Sequence, residues 1–416
     1  MPTYTVCFCG TACARDEGEN NRRWDFKLKD GTRVVSDKRI YDKDTGYIPV
    51  RIHLDISKIL QGTRSSVTVR GVGENDWFNQ NKASDPLNDD GPLTAPVDLH
   101  KYVKTYTDGS DQRTLLSQAG GWGATALALH GANLAATAAR SGADVFNFLG
   151  HSRGAVSSIM AAWFLYAYGG PYRQIPINIF AIDPVPGTGE WYGTLTQLPP
   201  NVRNYVGVYA WDHLDVGFSA LVPRPNFWMT QHPGHHKIET RTLGSTWSTL
   251  ADNCQLDDPL APNKNTLEQP QGYHLYACRG RHGTVAGIAT SDGQYDATKI
   301  SADVATVPRL VYKLARAYLT QWGTVFQTRC RVREDAKTLR MKIHSAHAEF
   351  DAMAGGETRT SRLSGRLSVR RVSSIHGRLG TDKYYLENVV GDPPFKLAYP
   401  CTVERSGGGW VKWKFL

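Results

Sequence analysis

The sequence predicts an α/β fold: a mostly parallel sheet flanked by helices, followed by a small β-rich C-terminal module. Three observations predict it. Short runs that are apolar throughout, such as Ile177 to Ile182, read as strands covered on both faces. Between such runs lie Ala- and Leu-rich segments that stop at glycine, as helices do. Strand and helix alternate up to about residue 320, whereas beyond Thr358 only β-like runs punctuated by Gly and Pro remain. With 416 residues, 41% of them hydrophobic, the chain can bury a full core, which excludes disordered and fibrous classes.

Taken in order, Tyr4 to Cys9 alternates and stops at Gly10-Thr11, an opening strand and a tight turn. Val50 to Leu54 and Val67 to Val69 read as further strands. Residues 79–120 are polar and rich in turn formers, with Asn88-Asp-Asp-Gly-Pro at their centre, and read as a surface excursion or lid. Ala124 to Arg140 reads as a helix ending at Gly142, Asp144 to Leu149 as a strand, and Ala155 to Tyr168 as a helix ending at Gly169-Gly170. Strands follow at Ile177 to Ile182, Tyr205 to Trp211 and Tyr273 to Cys278. A last helix spans Val307 to Trp322, with Leu310, Leu314, Ala317 and Tyr318 on one face. Arg362 to Val372, Tyr384 to Val390, Phe395 to Tyr399 and Trp410 to Phe415 are the β-like runs of the tail. The expected division is therefore a catalytic-sized domain over residues 1–325 and a basic module over residues 326–416.

Ala155 to Tyr168, the longest apolar stretch, is shorter than the roughly 20 residues that span a bilayer. The N-terminus carries neither a basic region nor a small-residue cleavage site, so synthesis in the cytoplasm without a Sec signal is expected, and any export needs a dedicated machine. The net charge is +9, and residues 331–416, with 16 basic against 9 acidic side chains, account for +7 of it. In Arg362-Leu-Ser-Gly-Arg366-Leu-Ser-Val-Arg370 the three arginines share one face of a strand, which suits either a solvated face or anionic head groups. The seven cysteines lack paired C-x-x-C spacing and read as buried thiols, with Cys254 and Cys278 able to pair in an oxidising compartment. His232, His235 and His236 have no neighbouring carboxylate and read as a polar loop. No metal or cofactor is expected.

The chemistry-bearing segment is Asp144-Val-Phe-Asn-Phe-Leu-Gly150-His-Ser152-Arg-Gly154, a strand running through G-x-S-x-G into a helix. Roughly 0.3 chance matches to that motif are expected in a chain of this length and glycine content, so the flanks decide. An apolar strand before it and an Ala-rich helix after it make this the nucleophile elbow of an α/β-hydrolase: Gly150 and Gly154 let strand pack on helix while Ser152 stands clear of the sheet. A nucleophilic serine needs a base oriented by a carboxylate. Ile177 to Ile182 delivers Asp183 into Pro184-Val-Pro-Gly187 and makes it the first candidate, ahead of Asp212 and Asp215 in Trp211-Asp-His-Leu-Asp215. His282, on the Gly-flanked loop Arg279-Gly-Arg-His-Gly283 just past a strand end, is the candidate base. His213 also follows a strand, and His274 lies inside one. The oxyanion donors are expected to be the Arg153 N–H and the turn of Gly10 and Thr11.

Phe8-Cys-Gly-Thr11, Arg70-Gly-Val-Gly73, the Gly-rich helix start at Gly120, Gly150-His-Ser-Arg-Gly154, Ile182-Asp-Pro-Val185, Tyr209-Ala-Trp-Asp212 and Gly280-Arg-His-Gly283 stand in an order that resembles bacterial α/β-hydrolases, including the type VI secretion phospholipase effectors. The resemblance covers about residues 1–320. It implies Ser152 as nucleophile, Asp183 as acid, His282 as base and membrane glycerophospholipid as substrate, cleaved in phospholipase A fashion. It also implies a secreted antibacterial toxin reaching the target periplasm through type VI machinery, with a phospholipid membrane surface, a cognate immunity protein and a secretion-apparatus component as partners, and no nucleic acid. The alternatives are an intracellular carboxylesterase, lipase or acyltransferase with the same triad, and an inert hydrolase fold that binds nucleic acid through its basic tail.

Overall fold

A computed structural model describes residues 2–19, 24–27, 33–36, 41–57, 65–77, 91–96, 99, 115–187, 198–210, 220–223, 226, 272–288, 306–346, 371–374, 383–385, 402–404 and 410–415. Its strands are β1 Thr3–Phe8, β2 Trp24–Lys27, β3 Arg33–Ser36, β4 Ser66–Val69, β5 Val145–His151, β6 Ile177–Ile182, β7 Val202–Ala210, β8 Ala220–Val222, β9 Tyr273–Cys278, β10 Arg371–Ser374, β11 Lys383–Tyr385, β12 Thr402–Glu404 and β13 Trp410–Phe415. Its helices are α1 Ile48–Ser57, α2 Leu115–Gly120, α3 Ala124–Arg140, α4 Arg153–Tyr168, α5 Thr306–Gln321 and α6 Ala336–Ser345.

The central sheet is mixed α/β in character and mostly parallel. Six parallel strands stand in the order β4-β1-β5-β6-β7-β9, and β13 and β12 continue it beyond β9. Each central strand alternates between two apolar layers. Val6, Phe8, Phe148, Ile179 and Leu275 face a core shared with α3 and α4. Cys7, Leu149, Phe180, Val208 and Tyr276 face a second core shared with α1, α5 and α6. Burial on both faces is what the apolar runs required.

Two expectations are corrected. Val50 to Leu54 is not a strand but the middle of α1. Its alternation of apolar and polar residues mimics period two because the helix is buried nearly all round, so its polar residues are inside as well. Arg51 pairs with Glu19 at 2.9 Å, and His53 Nδ1 lies 2.8 Å from Ser66 Oγ. Pro49 sits in the first turn, where a missing N–H removes no helical bond. The second correction concerns the boundary at 325. Val332, Leu339 and Ile343 enter the same core as Leu310 and Leu314, and β10 pairs with β8 as β13 does with β9, so packing and strand pairing both run across the expected division. Of the other tail runs, Tyr384 and Tyr385 fall in β11, whereas Arg362, Arg366 and Arg370 lie outside the described residues, as does most of the 79–120 excursion.

At the amino end of the sheet a polar rung crosses four strands. Thr5, Asn147, Asn178 and Asn204 stand in register. Asn204 donates to Asn178 at 2.6 Å, Asn178 to Asn147 at 2.7 Å, and Asn147 to Thr324 at 2.8 Å. A one-residue slip would place these amides against the apolar layer, so the rung pins register. Asn178→Ala should destabilise the fold by about 1–3 kcal/mol, because it leaves the buried Asn147 carbonyl without its donor. Urea unfolding measures this, and an unchanged midpoint would remove the rung from the stability account.

His130 on α3 is buried, and that burial, with the Arg15 and Arg70 guanidinium groups adding to it, holds its pKa well below the ordinary value. The folded state therefore keeps the imidazole neutral, while the unfolded chain binds a proton near pH ~6.5. Below that pH the unfolded state holds more protons, so this stabilisation is present above about pH 6.5 and is lost as pH falls through it. The melting temperature should drop between about pH 7.5 and 5.5, and His130→Gln should shrink that drop.

Candidate functional site

The carboxyl ends of β1, β5, β6 and β9 carry Gly10, Ser152, Asp183 and His282 to one edge of the sheet. In open parallel sheets that edge is where ligands bind. Ser152 follows β5 directly and precedes α4, with φ 56° and ψ −129°, a backbone conformation L residues rarely adopt. The turn is held from both sides: Ser152 N–H donates to the Ile182 carbonyl at 3.0 Å, and Val185 N–H donates to the Ser152 carbonyl at 3.3 Å. A Cβ on Gly154 would stand 2.4 Å from the Cys9 carbonyl oxygen, and one on Gly150 would stand 2.6 Å from the Ala155 backbone. Both glycines are thus required by the close passage of strand, helix and first turn.

Asp183 also has positive φ, 42°, and is fully buried. Its two oxygens are separately engaged. Oδ1 accepts the Ala210 N–H at 3.1 Å, and Oδ2 lies 2.6 Å from His282 Nδ1. An ionised carboxylate only accepts, so Nδ1 carries the proton and, in a neutral ring, Nε2 carries the lone pair. The His282 loop is shaped by Gly280 and by a 3-10 turn, Thr284–Ala286, closed by Gly287. Of the sequence candidates, Ser152, Asp183 and His282 are therefore brought to one place. Asp212, Asp215, His213 and the His232, His235 and His236 group lie outside the described residues, as does Cys254, and His274 stacks against Tyr276 and Tyr318 instead.

The first turn packs on the Arg70 to Gly73 segment: Ala12 N–H reaches the Val72 carbonyl at 2.9 Å and Gly71 N–H the Cys13 carbonyl at 2.8 Å. Gly10 differs from its expected role. Its N–H donates to the Tyr47 hydroxyl at 2.7 Å, so it is spoken for within the protein. Thr11 and Arg153, the other two expected donors, flank the elbow. Arg153 does more than supply an amide, which its sequence position did not reveal. Its buried guanidinium reaches Pro186 O at 3.1 Å, Thr11 Oγ1 at 2.9 Å and Gln118 O at 2.7 Å, tying the Asp183 turn, the first turn and α2 to the Ser152 elbow. Burial pushes the Cys7 and Cys9 thiols well up, which keeps these neighbours of the first turn protonated and unreactive.

Two residues that the sequence did not single out stand inside this cluster, Tyr47 and His151. His151 occupies the variable position of G-x-S-x-G, and its ring centroid lies 4.7 Å from that of His282. No periodic or compositional signal marks either one.

Comparison with known proteins adds little to this geometry. No family model and no curated protein matches the chain. A solved structure described as an uncharacterized protein from Pseudomonas aeruginosa aligns at TM-score 0.37 with 12% identity, over 86% of this chain. The chain spans 55% of that protein's length. Among the described residues, no helix is long and apolar enough to cross a membrane.

Proposed function

We propose that this protein is a serine hydrolase of the α/β-hydrolase type that cleaves acyl ester bonds of membrane glycerophospholipids, in phospholipase A fashion. The observation that carries the hydrolase reading is the 2.6 Å bond from His282 Nδ1 to the buried carboxylate of Asp183, on the strand next to the strained Ser152 elbow. In this mechanism Ser152 Oγ attacks the acyl carbonyl carbon and its proton passes to Nε2 of His282. Asp183 holds the tautomer and stabilises the imidazolium that forms. The oxyanion is received by the N–H groups of Arg153 and Thr11. Arg153 opens α4, where amides have no intrahelical acceptor. His282 then gives its proton to the departing alcohol oxygen, and water, activated by the same histidine, clears the acyl-enzyme.

The phospholipid reading rests on the ordered motifs that resemble type VI phospholipase effectors, and with them come delivery into a target periplasm, an immunity partner and a role in bacterial competition. Purified protein should release fatty acid from glycerophospholipid vesicles, and a fluorophosphonate should label it once. Hydrolysis of soluble esters with intact vesicles left untouched would favour the carboxylesterase alternative, and absence of any serine-dependent hydrolysis would overturn the enzyme reading altogether.

A further inference from the structure

One chain of hydrogen bonds runs from the first turn through His151 of the elbow to the His282–Asp183 pair, and each proton in it can be assigned. Gly10 N–H donates to the Tyr47 hydroxyl at 2.7 Å. The hydroxyl lies 3.0 Å from His151 Nδ1, and His151 Nε2 lies 3.2 Å from the backbone carbonyl of His282. A carbonyl only accepts, so Nε2 of His151 carries the hydrogen and Nδ1 is the acceptor in a neutral ring. The Tyr47 hydroxyl, accepting from Gly10, then donates to Nδ1. The Cys13 thiol also neighbours this hydroxyl, but sulfur is the weaker acceptor. From His282 the chain continues through Nδ1–H to Asp183 and ends on Ala210 N–H. Burial holds the Tyr47 phenol well above its ordinary range, so it stays a donor.

We propose that Tyr47 and His151 are positioning residues that lock the first turn, the elbow and the backbone of the base into one geometry. This rests on the hydrolase reading above, because it assigns how His282 is aimed. The arrangement leaves no slack. A Cβ on Gly10 would stand 2.8 Å from His151 Nδ1 and 3.1 Å from the Tyr47 hydroxyl, so the first turn approaches this pair as closely as glycine allows. Tyr47 and His151 meet edge to face at 5.6 Å, and His151 tilts over His282 at 34°. The Asp183 contact fixes the ring of His282 at Nδ1. The His151 contact fixes the peptide from which that ring hangs, and together the two decide where Nε2 points.

The test uses the whole 416-residue chain with a short-chain soluble aryl ester, a fluorophosphonate, and thermal melting as a control for folding. His151→Phe keeps a ring but loses both hydrogen bonds, and it should lower kcat and the labelling rate in parallel by about 10- to 100-fold with KM little changed, as a small misplacement of a reacting group does. Tyr47→Phe should act in the same direction, and the double variant should be no worse than the more damaged single, because both break one chain. His151→Gln, which restores a donor within reach of the His282 carbonyl, should recover much of the rate. It also keeps the test open where His151→Phe fails to fold. In the Ser152→Ala background the far-downfield proton of His282 Nδ1 should broaden or move on adding His151→Phe. A normal wild type with kcat unchanged in His151→Phe, or two strictly additive losses with an unmoved Nδ1 proton, overturns the positioning role and leaves the triad standing. A wild type that neither labels nor hydrolyses overturns both.

Discussion

Ser152→Ala is expected to reduce ester hydrolysis to the level of the scaffold alone, a fall of about five to six orders of magnitude in kcat, since loss of the nucleophile removes the covalent path entirely. Folding should survive the change. Only Oγ is removed, and the Cβ that makes φ 56° unfavourable remains in alanine, so the melting temperature should stay close to that of the wild type. Ser152→Gly gives the contrast that ties this to backbone strain. It removes the same oxygen and the Cβ as well, and it should be more stable than Ser152→Ala by about 1 kcal/mol, because glycine adopts positive φ freely. Activity on the soluble ester, fluorophosphonate labelling and melting curves of the three proteins check both parts. Labelling of Ser152→Ala at the wild-type rate would move the nucleophile elsewhere; equal stability of the two variants would show that the elbow stores no strain.

Asp183→Asn should lower turnover by about three to four orders of magnitude. The reason lies in which atoms the carboxylate meets. Oδ1 accepts the Ala210 N–H, and an asparagine carbonyl can keep that bond, which turns the new NH2 group toward His282 Nδ1. A donor facing Nδ1 moves the histidine hydrogen to Nε2, the atom that must accept the serine proton. Loss of activity thus comes from the wrong tautomer and not from disorder. The variant should fold, since a buried neutral amide replaces a buried charge and retains its backbone contact. Steady-state kcat with a melting curve decides it, and a loss below about tenfold would show that Asp183 does not orient the base.

How much of this was readable before folding depends on how far apart the interacting groups are. The elbow was legible because strand, glycines, serine and helix fall within one continuous segment, whereas the contacts that hold it, to Ile182, Val185 and Cys9, come from elsewhere in the chain. The helix Ala124–Arg140 was legible because it too is one continuous segment, and it forms with the expected bounds. Val50 to Leu54 was misread because its environment is buried on nearly every side, and a helix with polar residues inside has no dominant period. The tail was read as a separate module because composition shows where texture changes, but not which edge a strand such as Trp410–Phe415 will join.

The sequence by itself determined the alternation of strands and helices, the parallel character of the sheet and the place of the serine turn, since each is written in the pattern of one continuous segment. Only the tertiary structure decided that Asp183 meets His282 across a sequence separation of 99, that Gly10 N–H is taken by Tyr47, that Arg153 ties three segments together, and that His151 holds the backbone of His282. A hydrogen bond between distant segments leaves no periodicity in either one, and its geometry exists only once the sheet has set the strands side by side.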